Sequence, residues 1–160
     1  MAETAIVALV PELEPLVPPG PRGMPPHVTL LYPFAEDDAV GPLLSIAAGV
    51  FAGLAPFDVS FAEVRRWPET LYLEHDPASV FVGLTKALVA AFPDYPPYGG
   101  AHDDIVPHLT VAHGDAARFG ELTERIRPAL PVRVRVERAW LMVDSSAGWQ
   151  RHTPFPLDRR

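Results

Sequence analysis

Residues 25–34 read Pro-Pro-His-Val-Thr-Leu-Leu-Tyr-Pro-Phe, and residues 106–113 read Val-Pro-His-Leu-Thr-Val-Ala-His. Each stretch steps from a proline onto a histidine and continues with β-branched, aliphatic and aromatic residues, the composition of a strand. Strands are expected from His27 to about Phe34 and from His108 to His113. Residues i and i+2 of a strand share a face, so His27 with Thr29, and His108 with Thr110, each present an imidazole beside a hydroxyl. Val28, Leu30, Leu109 and Val111 point the other way, toward an apolar core. The second histidine lies 81 positions after the first, about half the 160-residue chain.

Working outward, the flanking segments match as well. Ala5 to Val10 is a short apolar run closed by Pro11 and reads as a buried strand. Pro11 to Pro26 is dense in proline, with two glycines, and is expected to be irregular with at most one helical turn near Glu12 to Val17. After the first motif, Asp37 or Asp38 can cap a helix to about Gly53. Phe57–Trp67 and Thr70–Glu74 then form a hairpin across Pro68-Glu69. Asp76-Pro77 opens a second helix to about Phe92. Residues 93–107 form a second irregular, proline-bearing segment ending directly before His108. A helix capped by Asp115 reaches about Arg127, Val132–Val143 is a strand with clear initial alternation, and a last strand lies near Trp149–Phe155.

Laid against each other, the halves share one order: proline, His-x-Thr strand, helix, then a strand carrying Glu and Trp, Glu63 and Trp67 in the first and Glu137 and Trp140 in the second. This reads as a diverged duplication. The expected fold is α+β: a bilobal, duplicated β-α-β-β arrangement with two antiparallel-rich sheets around a central groove and helices outside, residues 1–160 forming one bilobal domain.

Composition narrows the function. The chain has no cysteine, which excludes disulfides, thiolate metal sites and a thiol nucleophile. Its net charge of −7 repels a long polyanion, so no extended nucleic-acid surface is expected. Mean hydropathy is +0.10, and no apolar run approaches a membrane span. The acid at Glu3 and the short apolar run after it do not fit a signal peptide, so a cytoplasmic location is expected.

The paired motifs suit phosphodiester chemistry. In-line displacement needs a base on the attacking oxygen and an acid on the leaving oxygen, and a histidine with a pKa near 6.5 can serve as either. Two threonine hydroxyls can donate to the non-bridging phosphate oxygens, where charge concentrates in the transition state. The scheme requires no metal or other cofactor. Which histidine is base and which is acid stays open at this point.

With His27-Val28-Thr29-Leu30 and His108-Leu109-Thr110-Val111 in view, the sequence resembles the two-histidine (2H) phosphoesterase superfamily. The phrases PPHVTLLYPF and VPHLTVAH resemble its bacterial 2′-5′ RNA ligase-like branch in particular. The resemblance covers nearly the whole chain. It implies a bilobal α/β fold, with His27, Thr29, His108 and Thr110 as the catalytic and phosphate-binding set. It also implies action on a 2′,3′-cyclic phosphate or 2′-5′ phosphodiester of a nucleotide or RNA end. The alternatives are a non-catalytic nucleotide or RNA-end binding module and a phosphodiesterase for another small cyclic phosphate.

Other residues carry weaker signals. Tyr32 and Tyr98 can stack on a nucleobase, as can Phe34 and Tyr95, although core packing competes for Phe34. Arg22, before the first motif, is a candidate phosphate clamp, as are Arg65 and Arg66, with solvated surface charge the competing reading. Arg133, Arg135 and Arg138 alternate with valines and suit an exposed sheet face. His102, His108 and His113, with Asp103 and Asp104, match no familiar zinc spacing.

Overall fold

The protein is described from a computed structural model covering residues 1–100 and 106–160. Among the described residues, eight strands form the sheet: β1 (Thr4–Leu9), β2 (His27–Leu31), β3 (Phe57–Trp67), β4 (Thr70–Asp76), β5 (Leu109–His113), β6 (Val132–Val136), β7 (Arg138–Ser145) and β8 (Gly148–Pro156). Three helices accompany them there: α1 (Leu44–Ala52), α2 (Ser79–Ala91) and α3 (Phe119–Ile126). The α+β expectation holds, and these strands pair antiparallel throughout.

The strand order is β6-β3-β4-β5-β2-β1-β7-β8. The sheet divides into two halves, β6-β3-β4-β5 and β2-β1-β7-β8, each built from strands of both halves of the chain, with β2 and β5 innermost. The two expected sheets are therefore continuous, joined where Val28 of β2 faces Leu109 of β5. Around that junction the halves correspond strand for strand: β2 with β5, β1 with β4, β7 with β3, and β8 with β6.

The single strand expected over 132–143 is instead two. Val134 and Val136 are buried on even positions, whereas Ala139 and Leu141 are buried on odd ones. A two-residue period cannot serve both sets, so the strand breaks at Glu137. β6 then pairs with β3 in one half and β7 with β1 in the other.

Two helix starts differ from expectation. Asp37 accepts a hydrogen bond from the Ala2 amide instead of capping a helix, and α1 begins at Leu44 after a 3-10 turn over Gly41–Leu43. Asp76 is the last residue of β4, so α2 starts at Ser79. Asp115 behaves as expected, accepting from the Ala117 amide ahead of α3.

One face of the sheet packs under the helices. Val28, Leu30, Leu73 and Leu109 share this core with Phe51 of α1, Phe81 and Leu88 of α2, and Phe119 and Ile126 of α3. On the opposite face of the β1/β2 half, a smaller cluster of Ala5, Val7 and Met142 is closed by Met24 from the proline-rich segment. No helix among the described residues is long and apolar enough to cross a membrane.

Candidate active site

The junction between the halves builds the site. With Val28 opposite Leu109, antiparallel continuation sets His27 across from Thr110 and Thr29 across from His108. Val28 and Leu109 are fully buried in the core. Strand alternation turns the histidines and threonines to the opposite face, where His27, Thr29, His108 and Thr110 line one cleft of about 100 Å³ with Tyr98, Val106 and Pro107.

The two histidines are held alike. His27 Nδ1 lies 2.8 Å from the Pro25 carbonyl, and His108 Nδ1 lies 2.8 Å from the Val106 carbonyl. A carbonyl only accepts, so each Nδ1 carries its hydrogen, and in the neutral ring Nε2 is the nitrogen that holds a lone pair. The local cause is the shared Pro-His step: the intervening Pro26 or Pro107, its φ fixed, presents the carbonyl two residues back to the ring. His27 is half-buried, and desolvation lowers its pKa below 6.5; the Pro25 hydrogen bond opposes this, and the neighbouring His108 charge adds to it.

His108 carries an aromatic wall that sequence reasoning missed. Trp67 meets its ring edge-to-face at 4.8 Å, Tyr72 does so at 5.7 Å, and Trp67 stacks on Tyr72 at 4.1 Å. The signal lay in the pairing of β4 with β5, which puts Tyr72 opposite Thr110.

The remaining sequence candidates separate. Tyr98 lines the cleft; its backbone is left-handed at φ 52°, its amide donates to the Tyr32 carbonyl at 2.6 Å, and burial raises its pKa. Tyr32 stands outside the cleft. Its hydroxyl donates to Glu3 at 2.6 Å, and its pKa is pushed up to about 12, first by that bond and then by burial and the charges of Glu3 and Asp144. Arg22 is also outside: Nε donates to Asp144 at 2.6 Å and a terminal nitrogen to the Ser145 carbonyl at 2.7 Å. This ties the proline-rich segment to the β7–β8 turn, where Gly148, at φ 98°, has no Cβ to collide with the Arg22 carbonyl.

Phe34 packs in the core against Phe92 and Tyr95. Arg65 is paired with Glu63 and Glu74. His113 Nδ1 lies 2.8 Å from the Thr70 hydroxyl. His102, Asp103 and Asp104 lie outside the described residues, among which no cluster of His, Asp and Glu is disposed to hold a metal ion.

A fold with two symmetric His-Thr pairs meeting at a sheet junction defines a class, that of the two-histidine phosphoesterases. The family described as the 2′-5′ RNA ligase superfamily matches residues 5–148, and the chain belongs to it. Among solved structures the fold is similar to Escherichia coli LigT complexed with 3′-AMP, at 14% identity, 99% coverage of each chain and a TM-score of 0.71. It is also similar to TT0787 of Thermus thermophilus, at 17% identity, 98% coverage of each and a TM-score of 0.68. Kluyveromyces marxianus Usb1 with uridine monophosphate matches at 12% identity, covering 98% of this chain and 97% of its own, with a TM-score of 0.53. No curated protein matches the chain by sequence.

Proposed function

We propose that the protein is a metal-independent phosphoesterase that opens a 2′,3′-cyclic phosphate, or cleaves a 2′-5′ phosphodiester, on a nucleotide or RNA end. One observation carries this reading. Two imidazoles with pinned Nδ1 atoms and two hydroxyls converge on a single small cleft. LigT with 3′-AMP and Usb1 with uridine monophosphate are family-like folds that hold nucleotides, which supports a nucleotide-bearing substrate.

In this mechanism the phosphate sits between His27 and His108. Burial favours the neutral form of His27, so its Nε2 is the base that takes a proton from water as the water oxygen bonds to phosphorus. One ring P–O bond breaks on the opposite side, and the departing ribose oxygen receives a proton from His108 Nε2. The product is a ribose phosphomonoester. Thr29 and Thr110 donate to the non-bridging oxygens as their charge rises, and Tyr98 closes one side of the cleft. With a ribose hydroxyl in place of water the same steps exchange one diester for another, and in reverse the two histidines exchange roles.

The net charge of −7 favours a small substrate or a short RNA end over a long strand. The test is incubation with each 2′,3′-cyclic nucleotide in EDTA, beside His27→Ala and His108→Ala. Turnover by the wild type that either substitution abolishes is expected. Binding without turnover would make the protein a nucleotide-binding module, and turnover only of other cyclic phosphates would move the substrate class.

A further inference from the structure

We infer that the stacked Trp67–Tyr72 pair is a platform for the substrate's nucleobase, so that the site selects nucleosides over base-free phosphoesters; this rests on the phosphoesterase reading above. Three observations support it.

The first is position. Tyr72 is the β4 residue opposite Thr110, and residues directly opposite in an antiparallel pair share a face. Arg65 is opposite Tyr72 on β3, and Trp67 is two residues further along the same face. Both rings pair edge-to-face with the His108 imidazole, with ring centres 4.8 Å away for Trp67 and 5.7 Å for Tyr72. A nucleoside whose phosphate lies between the histidines carries its base within reach of this wall.

The second is exposure and room. Trp67 is 38% exposed, and where this half has Tyr72 opposite Thr110 the other half has Val7 opposite Thr29, buried in a cluster with Met24. A cavity of about 460 Å³ opens against Tyr72 and shares Val106 and Pro107 with the cleft, a volume in the range of small-ligand sites. In the other half the aromatic residue opposite Val7 is Trp140, and the Arg151 guanidinium lies over its ring at 5.5 Å, so the Trp67–Tyr72 side is the one that offers a bare aromatic surface to a base.

The third is charge. Arg65, the cation opposite Tyr72, is paired with both Glu63 and Glu74. Its charge is already met, so what the face offers a ligand is flat aromatic surface, which takes an uncharged planar group better than a second phosphate. Stacking tolerates any base, since each has a π-face, and favours the larger purines.

The test compares adenosine 2′,3′-cyclic phosphate with ribose 2′,3′-cyclic phosphate, which lacks the base. The wild type should prefer the nucleotide. Trp67→Ala and Tyr72→Ala should each lower that preference by about 5- to 150-fold, the worth of one stacked base, mainly through KM. Trp67→Phe and Tyr72→Phe should retain most of it. Equal loss on both substrates would show that the rings only prop His108, and an unchanged preference would remove the platform; either overturns the inference. Calorimetric binding of 3′-AMP against ribose 3-phosphate separates it from the phosphoesterase reading. A protein that turns over neither cyclic phosphate, yet binds 3′-AMP more tightly in a way that Trp67→Ala abolishes, keeps the platform and loses the enzyme. No difference in binding between the two ligands overturns the platform.

Discussion

Replacing His75 should make the protein less sensitive to acid. The residue is 8% exposed, and its ring meets Phe81 edge-to-face at 4.8 Å and lies 6.2 Å from Phe61. Its Nε2 has no hydrogen-bond partner among the described residues. Burial lowers the pKa from 6.5, against a backbone hydrogen bond with Ala78. The unfolded chain therefore takes up this proton near pH 6.5, and the folded protein does so only at lower pH. Between those values the unfolded state holds more protons, so stability is lost as pH falls through 6.5 and regained above it. From pH 7.5 to 5.5 this one group can remove at most about 1.4 kcal/mol. His75→Leu removes that share and also the unpaired polar atom, a cost of about 1–3 kcal/mol set against imperfect repacking. Urea unfolding at the two pH values measures both effects. The variant should match or exceed wild-type stability at pH 7.5 and lose less on acidification. An unchanged pH dependence, or a loss beyond about 3 kcal/mol at both pH values, would refute the reasoning.

Three further outcomes are expected. Because burial holds the His27 pKa below 6.5, the acid limb of the kcat/KM profile should fall off below pH 6.5; a half-point above 6.5 would contradict His27 as the base. Thr29→Ala and Thr110→Ala should each lower kcat by about 10²–10³, as loss of one donor to a developing oxyanion does, whereas a change confined to KM would mean ground-state binding alone. Arg22→Ala should leave KM unaltered and cost about 0–1 kcal/mol of stability in urea, since the half-exposed guanidinium is committed to Asp144 and Ser145; a rise in KM would restore Arg22 as a phosphate clamp.

The parts of this protein legible in the sequence are those written in short periods. Pro-His-x-Thr shows a strand and its outward face, whereas the carbonyl that pins each ring is visible only in the structure. The likeness of the two stretches was visible because both keep that order. What one-dimensional reading lacked was pairing. The continuity of the sheet rests on Val28 meeting Leu109, and the aromatic wall on Tyr72 meeting Thr110, neither of which any spacing reveals. The break at Glu137 was in fact encoded, in the shift of apolar positions from 132, 134 and 136 to 139 and 141, but strong initial alternation hid it. Tyr32 and Arg22 stand next to the motif in sequence, yet Glu3 and Asp144 hold them elsewhere. Proximity along the chain is a poor guide to which side chains enter a cleft at a junction.

The central claim is that His27 and His108 act as one acid–base unit, and a double-mutant cycle on the opening of a 2′,3′-cyclic nucleotide in EDTA measures that directly. Groups that serve a single transition state together are far from additive. His27→Ala and His108→Ala should each remove nearly all turnover, and the double variant should be little slower than either. Losses that multiply in the double variant, or a single variant that retains most of the wild-type rate, would contradict the paired-histidine account.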